Sequence, residues 1–301
     1  MDRVREDPWT GGPRELMITL TYPAPPGGRP VPYLPDGIAA AVNAQAHAAL
    51  GAGPFDFGFT TPARADAPVL PGRHPVLLYS LGAQSSRLLG TVLVEQPASE
   101  GYVVVSLDPT HDALAVDLPG GRVEPSTLSP SAEEVNRKLI ATRVADVEFV
   151  LNRLGLDRVG MFGHSAGGFT AAEVMAADPR VVAGANPDGS MVFNAAARFG
   201  RAATERLDRP FLLMSAGDHS SATDPSWASF TRTQRGPLVD VHEPAGEHGS
   251  FTDYEAWLPQ LGADPARVRA VIGGVDPETM LRKEKAALSG FSMRTCGSGG
   301  I

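Results

Sequence analysis

Between residues 74 and 242 the apolar positions fall into short runs separated by stretches with helical spacing. HPVLLYSLG (74–82), YVVVSLD (102–108), RVGMF (158–162), VVAGAN (181–186), FLLMS (211–215) and LVDVH (238–242) are the runs. They are too short for buried helices and too continuously apolar for strands with one wet face. They predict strands covered on both sides, as in a parallel sheet. Helices fit between them at SSRLLGTVLVEQPAS (85–99), interrupted or ended near Pro97, at AAEVMAAD (171–178) and near 225–234. The clearest is SAEEVNRKLIATRVADVEFVLNRL (131–154), where Val135, Leu139, Val147, Val150, Leu151 and Leu154 share a face and Ser131 and Glu134 have capping-box spacing. Segments 250–259, ARVRAVIG and 277–289 close the chain as helices.

The N-terminal part is less regular. ELMITLTYPA (15–24) reads as a strand, and Asp36 is placed to cap a helix over 38–50. The segments 23–37, 53–72 and 109–130 read as loops, with Pro119-Gly120-Gly121 a turn. Strands alternating with helices imply an α/β fold, a mostly parallel central sheet with helices on both faces. Residues 1–290 are expected to form one domain and 291–301 a flexible tail. In such a fold the site lies on the loops at the carboxyl ends of the strands.

Composition narrows the function. A chain of 301 residues, 43% hydrophobic, can bury a large core, and a net charge of -8 argues against nucleic-acid binding through phosphates. No run is long enough for a transmembrane helix. The start, MDRVREDPWTGGPREL, carries no apolar leader, so a soluble, cytoplasmic protein is expected, or a secreted one if a leader has been removed. Cys296, the only cysteine, excludes an intramolecular disulfide and a cysteine-based metal cluster. No cofactor or metal is called for.

The chemistry gathers at VGMFGHSAGGFT (159–170). Gly-x-Ser-x-Gly is a short pattern, but here it follows a strand and opens a helix, the place a nucleophile elbow requires. Gly163 and Gly167 remove the Cβ atoms that so tight a turn would bring into collision. Ser165 is therefore the expected nucleophile. The Ala166 amide, at the helix N-terminus, is an expected oxyanion donor. Among seven histidines, His248 follows the last strand and completes the chain order serine, acid, histidine of the α/β-hydrolase arrangement. His164 adjoins Ser165 in sequence, and His111 lies at the site end of a strand, so both are candidate pocket residues. Asp188 and Asp218 each follow a strand at the site end, and spacing does not choose between them as the acid.

DPWTGGPRELMITLTYPA, PVLLYSLGAQSSR, VEQPASEGYVVVSLDPTHDA, GHSAGG, ANPDGSM and AGEHGSFTDY together resemble the bacterial relatives of platelet-activating factor acetylhydrolase, within the α/β-hydrolase lipases and esterases. The likeness spans almost the whole chain. It implies that the triad acid is Asp188, with Asp218 the alternative, and that a second oxyanion donor is the Ala83 amide. Leu81 stands where that family usually has histidine or proline, so Leu81 and Gly82 are expected to wall a more apolar pocket. Pro109 is a second departure. The implied activity is hydrolysis of short- to medium-chain or lipid-like carboxylic esters through an acyl-enzyme. Acyl transfer or ring closure by the same triad is the alternative, and a catalytically silent binding module a more distant one.

Overall fold

A computed structural model describes residues 2–51, 53–129, 133–194 and 198–295. Seven strands and seven helices carry the architecture. In chain order they are β1 (Leu16–Thr21), α1 (Asp36–Leu50), β2 (Val76–Ser80), α2 (Thr91–Ser99), β3 (Val103–Pro109), α3 (Glu133–Leu154), β4 (Val159–Gly163), α4 (Ala166–Ala177), β5 (Val181–Pro187), β6 (Phe211–Ala216), α5 (Pro225–Thr233), β7 (Leu238–Glu243), α6 (Pro265–Ile272) and α7 (Pro277–Thr295). The strands form one sheet in the order β7-β6-β5-β4-β2-β3-β1. Every neighbouring pair is parallel except β1 with β3, which is antiparallel at the edge. This is the mostly parallel sheet expected from the apolar runs.

Alternation along each strand sends successive side chains to opposite faces. Val76, Leu78, Phe211 and Leu213 pack with Leu139, Val147 and Leu151 of α3, Phe169 and Met175 of α4, and Trp227 and Phe230 of α5. Leu77, Tyr79, Leu212 and Met214 face the other way, against Leu93 of α2 and Met280 and Leu288 of α7. Both faces are covered, so β2, β3 and β4 are buried at every residue. A third cluster joins Ile38, Val42 and Leu50 of α1 to Trp257, Leu258 and Ile272.

Several local expectations change. Asp36 is the first residue of α1 rather than its cap; Pro35 takes the cap position with no side-chain hydrogen bond. The segment 85–99 divides into a 3-10 turn, Arg87–Gly90, and α2, with Pro97 inside its last turn. The loop 109–130 contains an antiparallel hairpin, Ala115–Leu118 with Arg122–Pro125, closed by the Pro119-Gly120-Gly121 turn. Segment 53–72 contributes Thr60–Ala65, paired with Arg29–Pro32. In place of one helix over 250–259 stand the 3-10 turn His248–Phe251, the single helical turn Tyr254–Trp257 and a 3-10 turn, Leu258–Gln260. Helix α7 runs on to Thr295. Ser131 and Cys296 lie outside the described residues. Among the described residues no helix is long and apolar enough to cross a membrane.

Candidate active site

The sheet order decides what meets at its carboxyl edge. β4 lies beside β2 with Gly163 opposite Ser80, so the loops leaving both strands emerge together. One carries Ser165 and the other Leu81-Gly82-Ala83. Ser165 has φ 57° and ψ -123°, a left-handed conformation that a serine adopts only under constraint from its surroundings. The constraint is the close approach of β2: a Cβ on Gly163 would lie 2.2 Å from the Ser80 carbonyl oxygen, and one on Gly167 2.0 Å from it. Helix α4 begins at Ala166, which places the Ala166 amide among the first-turn N–H groups that have no partner within the helix.

Asp188 follows β5, the next strand outward, and also has positive φ, 59°. Its turn is locked by Asn186, whose side chain accepts from the Gly189 N–H and donates to the Gly189 carbonyl, each at 2.8 Å. The Ser165 N–H donates to the Pro187 carbonyl at 2.8 Å, which ties this turn to the elbow. His248 opens the 3-10 turn beyond β7, and its Nδ1 lies 2.6 Å from Asp188 Oδ2. A ring nitrogen facing a carboxylate carries the proton, so in the neutral imidazole Nε2 holds the lone pair. More than half of the His248 side chain is exposed, whereas Asp188 is buried.

A cavity of about 670 Å³ opens on this edge, lined by Ala83, Ser165, Ala166, Asp188 and His248. Leu139, Ile140, Phe169 and Val192 supply its apolar wall. A smaller cavity of about 330 Å³ lies beside it, with Gly82, Ala83, His164, Ser165 and His248 again in its lining, together with Gln45 and Tyr254. Asp218 lines the larger cavity but makes no side-chain hydrogen bond to His248; its backbone carbonyl accepts from Thr223. Among the described residues no group of three or more His, Cys, Asp or Glu side chains is placed to hold a metal ion.

Two sequence-based candidates lie elsewhere. Leu81 is fully buried in a small cluster with Ala113, Val116 and Leu118, and lines neither cavity. The residue that departs from the resembling family therefore packs inward rather than walling the pocket. His111 belongs to a buried polar network: its Nδ1 is 3.1 Å from Asp7, which also receives Arg14, and Arg14 forks onto Asp146. This network is what the DPWTGGPREL segment builds. His164 is buried, and its Nε2–H donates to the His248 carbonyl at 2.9 Å. Burial, then the neighbouring His248, push its pKa down to about 3, so it stays neutral.

Two further residues adjoin the site without having been assigned a role from sequence. Arg143, on α3 and 2% exposed, forks onto Asp112 at 2.6 and 2.9 Å. The same guanidinium donates to the carbonyls of Leu81 and Gly82, the latter at 3.2 Å. The Gly82 carbonyl and the Ala83 N–H belong to one planar peptide and point in opposite directions. Gripping the carbonyl on the α3 side thus turns the Ala83 amide away from Arg143. His219, in the loop after β6, donates from Nδ1 to Asp188 Oδ1 at 2.8 Å. The one signal of it in the sequence is its place close after the run FLLMS.

The chain is 32% identical to a ferulic acid esterase from Streptomyces cinnamoneus, over 99% of this chain and 88% of that one, with a TM-score of 0.83. It belongs to that esterase family. The fold of this esterase-family chain is accordingly that of the α/β-hydrolases. A probable 1-alkyl-2-acetylglycerophosphocholine esterase from Arthroderma benhamiae is 30% identical over 233 residues, 71% of this chain. The chain spans 56% of that relative's length. An acylaminoacyl peptidase from Pyrococcus horikoshii, at 13% identity and a TM-score of 0.50, shares the fold alone, over 78% of this chain and 40% of its own. No family model matches the sequence.

Proposed function

We propose that the protein is a serine hydrolase of carboxylic esters, with Ser165 as nucleophile, His248 as general base and Asp188 as the acid that orients it. The observation that carries this reading is the His248 Nδ1 to Asp188 Oδ2 contact of 2.6 Å in the cavity that Ser165 lines. It leaves the basic nitrogen of His248 free to take the serine proton as the hydroxyl attacks an ester carbonyl. The imidazolium then gives that proton to the leaving alkoxide. Water attacks the acyl-enzyme by the same route. The amides of Ala83 and Ala166 hold the oxyanion; one from the β2 loop and one from the elbow is the usual arrangement on this fold.

A cavity near 670 Å³ with a wall of Leu139, Ile140, Phe169 and Val192 suits a small to medium acyl group. Likeness to a ferulic acid esterase and to a probable 1-alkyl-2-acetylglycerophosphocholine esterase supports aryl-acyl and short-acyl esters as the substrates to try first. A fluorophosphonate probe tests the nucleophile: it labels the wild type and not Ser165→Ala, and equal labelling overturns the assignment. Asp188→Asn and Asp218→Asn test the acid. The first is expected to lower kcat by about 10³–10⁴-fold and the second by less than about threefold. A larger loss from Asp218→Asn refutes Asp188.

A further inference from the structure

His219 has a carboxylate on each side. Its Nδ1 meets Asp188 Oδ1 and its Nε2 meets Asp224 Oδ2, both at 2.8 Å. Neither oxygen can act as donor while the carboxylates are ionised, so both ring nitrogens must carry protons. Asp224 is committed to its anionic form. It accepts from the backbone N–H and hydroxyl of Ser226, from the Trp227 N–H and from the Ser190 hydroxyl. Asp188 is fixed likewise by the Ala216 N–H at 3.1 Å and by His248 on its other oxygen. The His219 ring is seated against Trp227, with centroids 4.5 Å apart.

We propose that His219 is a positioning residue that stands as an imidazolium between Asp188 and Asp224 and shares the Asp188 carboxylate with His248. The inference rests on the reading of Ser165, His248 and Asp188 as a triad. Burial alone would lower the His219 pKa, but the hydrogen bonds to Asp188 and Asp224 outweigh it and carry the value up to about 9. The same contacts hold Asp188 and Asp224 well below the usual carboxylate range, against the effect of their burial.

An unshared carboxylate would favour the protonated form of the base strongly. A cation on the second oxygen offsets part of that pull, so removing it is expected to move the acidic limb of the activity profile to higher pH. The other ionisable groups around the two rings are few. His164, its ring tilted against that of His248 with centroids 4.4 Å apart, is neutral, and Asp218 and Glu247 adjoin the two histidines in sequence. The two imidazoles bind opposite oxygens of one carboxyl, which sets their charges roughly 6–7 Å apart. At effective dielectrics between about 20 and 80, such a charge moves a proton equilibrium by roughly 0.5–2 pH units.

The pH profile of kcat/KM with p-nitrophenyl acetate tests this, with Ser165→Ala as the blank. His219→Gln keeps a donor near Asp188 and loses the charge, and is expected to move the acidic limb up by about one pH unit. His219→Lys restores a cation and is expected to hold the limb within about 0.3 unit of wild type. A limb that stays in place in His219→Gln, or that moves equally in both variants, overturns the role of charge. Turnover that survives Ser165→Ala overturns the triad reading itself, a distinct result. Should the His219 variants fail to fold, ¹⁵N spectra of the Ser165→Ala protein at pH 7.5 decide the matter. Two protonated nitrogens on His219 support the proposal, and a single-proton tautomer overturns it.

Discussion

Arg143→Lys separates charge from geometry behind the oxyanion loop. In the native protein one planar fork serves two customers, the Asp112 carboxylate at 2.6 and 2.9 Å and the carbonyls of Leu81 and Gly82. A lysine ammonium at the same site is a single point with three donors, and it cannot span both. Hydrogen bonds to charged groups are worth about 1.5–3 kcal/mol each, so losing one or two should cost roughly 2–4 kcal/mol of stability. For a chain of this size that is a fall in Tm of roughly 3–6 °C. Released from the fork, the Gly82–Ala83 peptide can rotate, and the Ala83 amide loses its aim. Removal of one oxyanion donor typically lowers kcat by about 10²–10³-fold, or roughly 3–4 kcal/mol in the barrier. KM should change little, because the contact strengthens only as charge develops on the oxygen. The assay is steady-state hydrolysis of p-nitrophenyl acetate well below the melting onset, alongside a thermal melt. A variant that melts lower yet keeps kcat within threefold would sink the idea that Arg143 sets the oxyanion geometry.

Other consequences can be checked separately. Gly167→Ala places a Cβ 2.0 Å from the Ser80 oxygen and 2.7 Å from the Leu81 oxygen, both backbone, so about 3 kcal/mol or more should be lost in a urea melt. Gly290→Ala, in α7 with nothing within 4 Å of the new Cβ, should instead gain about 0.5–1 kcal/mol. His219 gives stability a pH signature: its folded pKa of about 9 exceeds an unfolded value near 6.5, so its contribution is complete below pH 6.5 and disappears as pH rises through 9. The difference, on the order of 3 kcal/mol, should appear in wild-type unfolding curves and be missing from His219→Gln. Val192→Phe narrows the larger cavity and should lower kcat/KM for octanoate relative to acetate by about 10–200-fold; an unchanged ratio would place the acyl chain elsewhere.

The strands were legible because burial on both faces leaves unbroken apolar runs such as VLLYS and VVVSL. The elbow was legible because glycine is the residue that close backbone approach demands, at Gly163 and Gly167. The hairpin at 115–125 was not: the Pro119-Gly120-Gly121 turn was, but its strands are four residues each, with Asp117 and Glu124 interrupting them. The resemblance pointed to Asp188 over Asp218, and the 2.6 Å contact with His248 is the geometry that such a choice requires. Leu81 misled because a residue next to a loop turn can face inward, and an apolar one has reason to. Arg143 and His219 act through partners 61 and 31 residues away, and no local pattern records such pairings.

Helix α1 leaves the ribosome about 200 residues before the side chains that cover it are made. Ile38, Val42 and Leu50 pack on Trp257, Leu258 and Ile272, and Tyr33 reaches Asp253, 220 residues downstream, at 2.9 Å. Asp253 lies two residues beyond the His248–Phe251 turn, so the same contacts seat the segment that carries the histidine. During synthesis, then, helix α1 has an apolar face without its final cover until residues 257–272 have emerged. A polypeptide halted before residue 250 lacks both His248 and the surface that α1 needs. Catalytic competence should therefore arrive abruptly, once the segment 248–272 has been made.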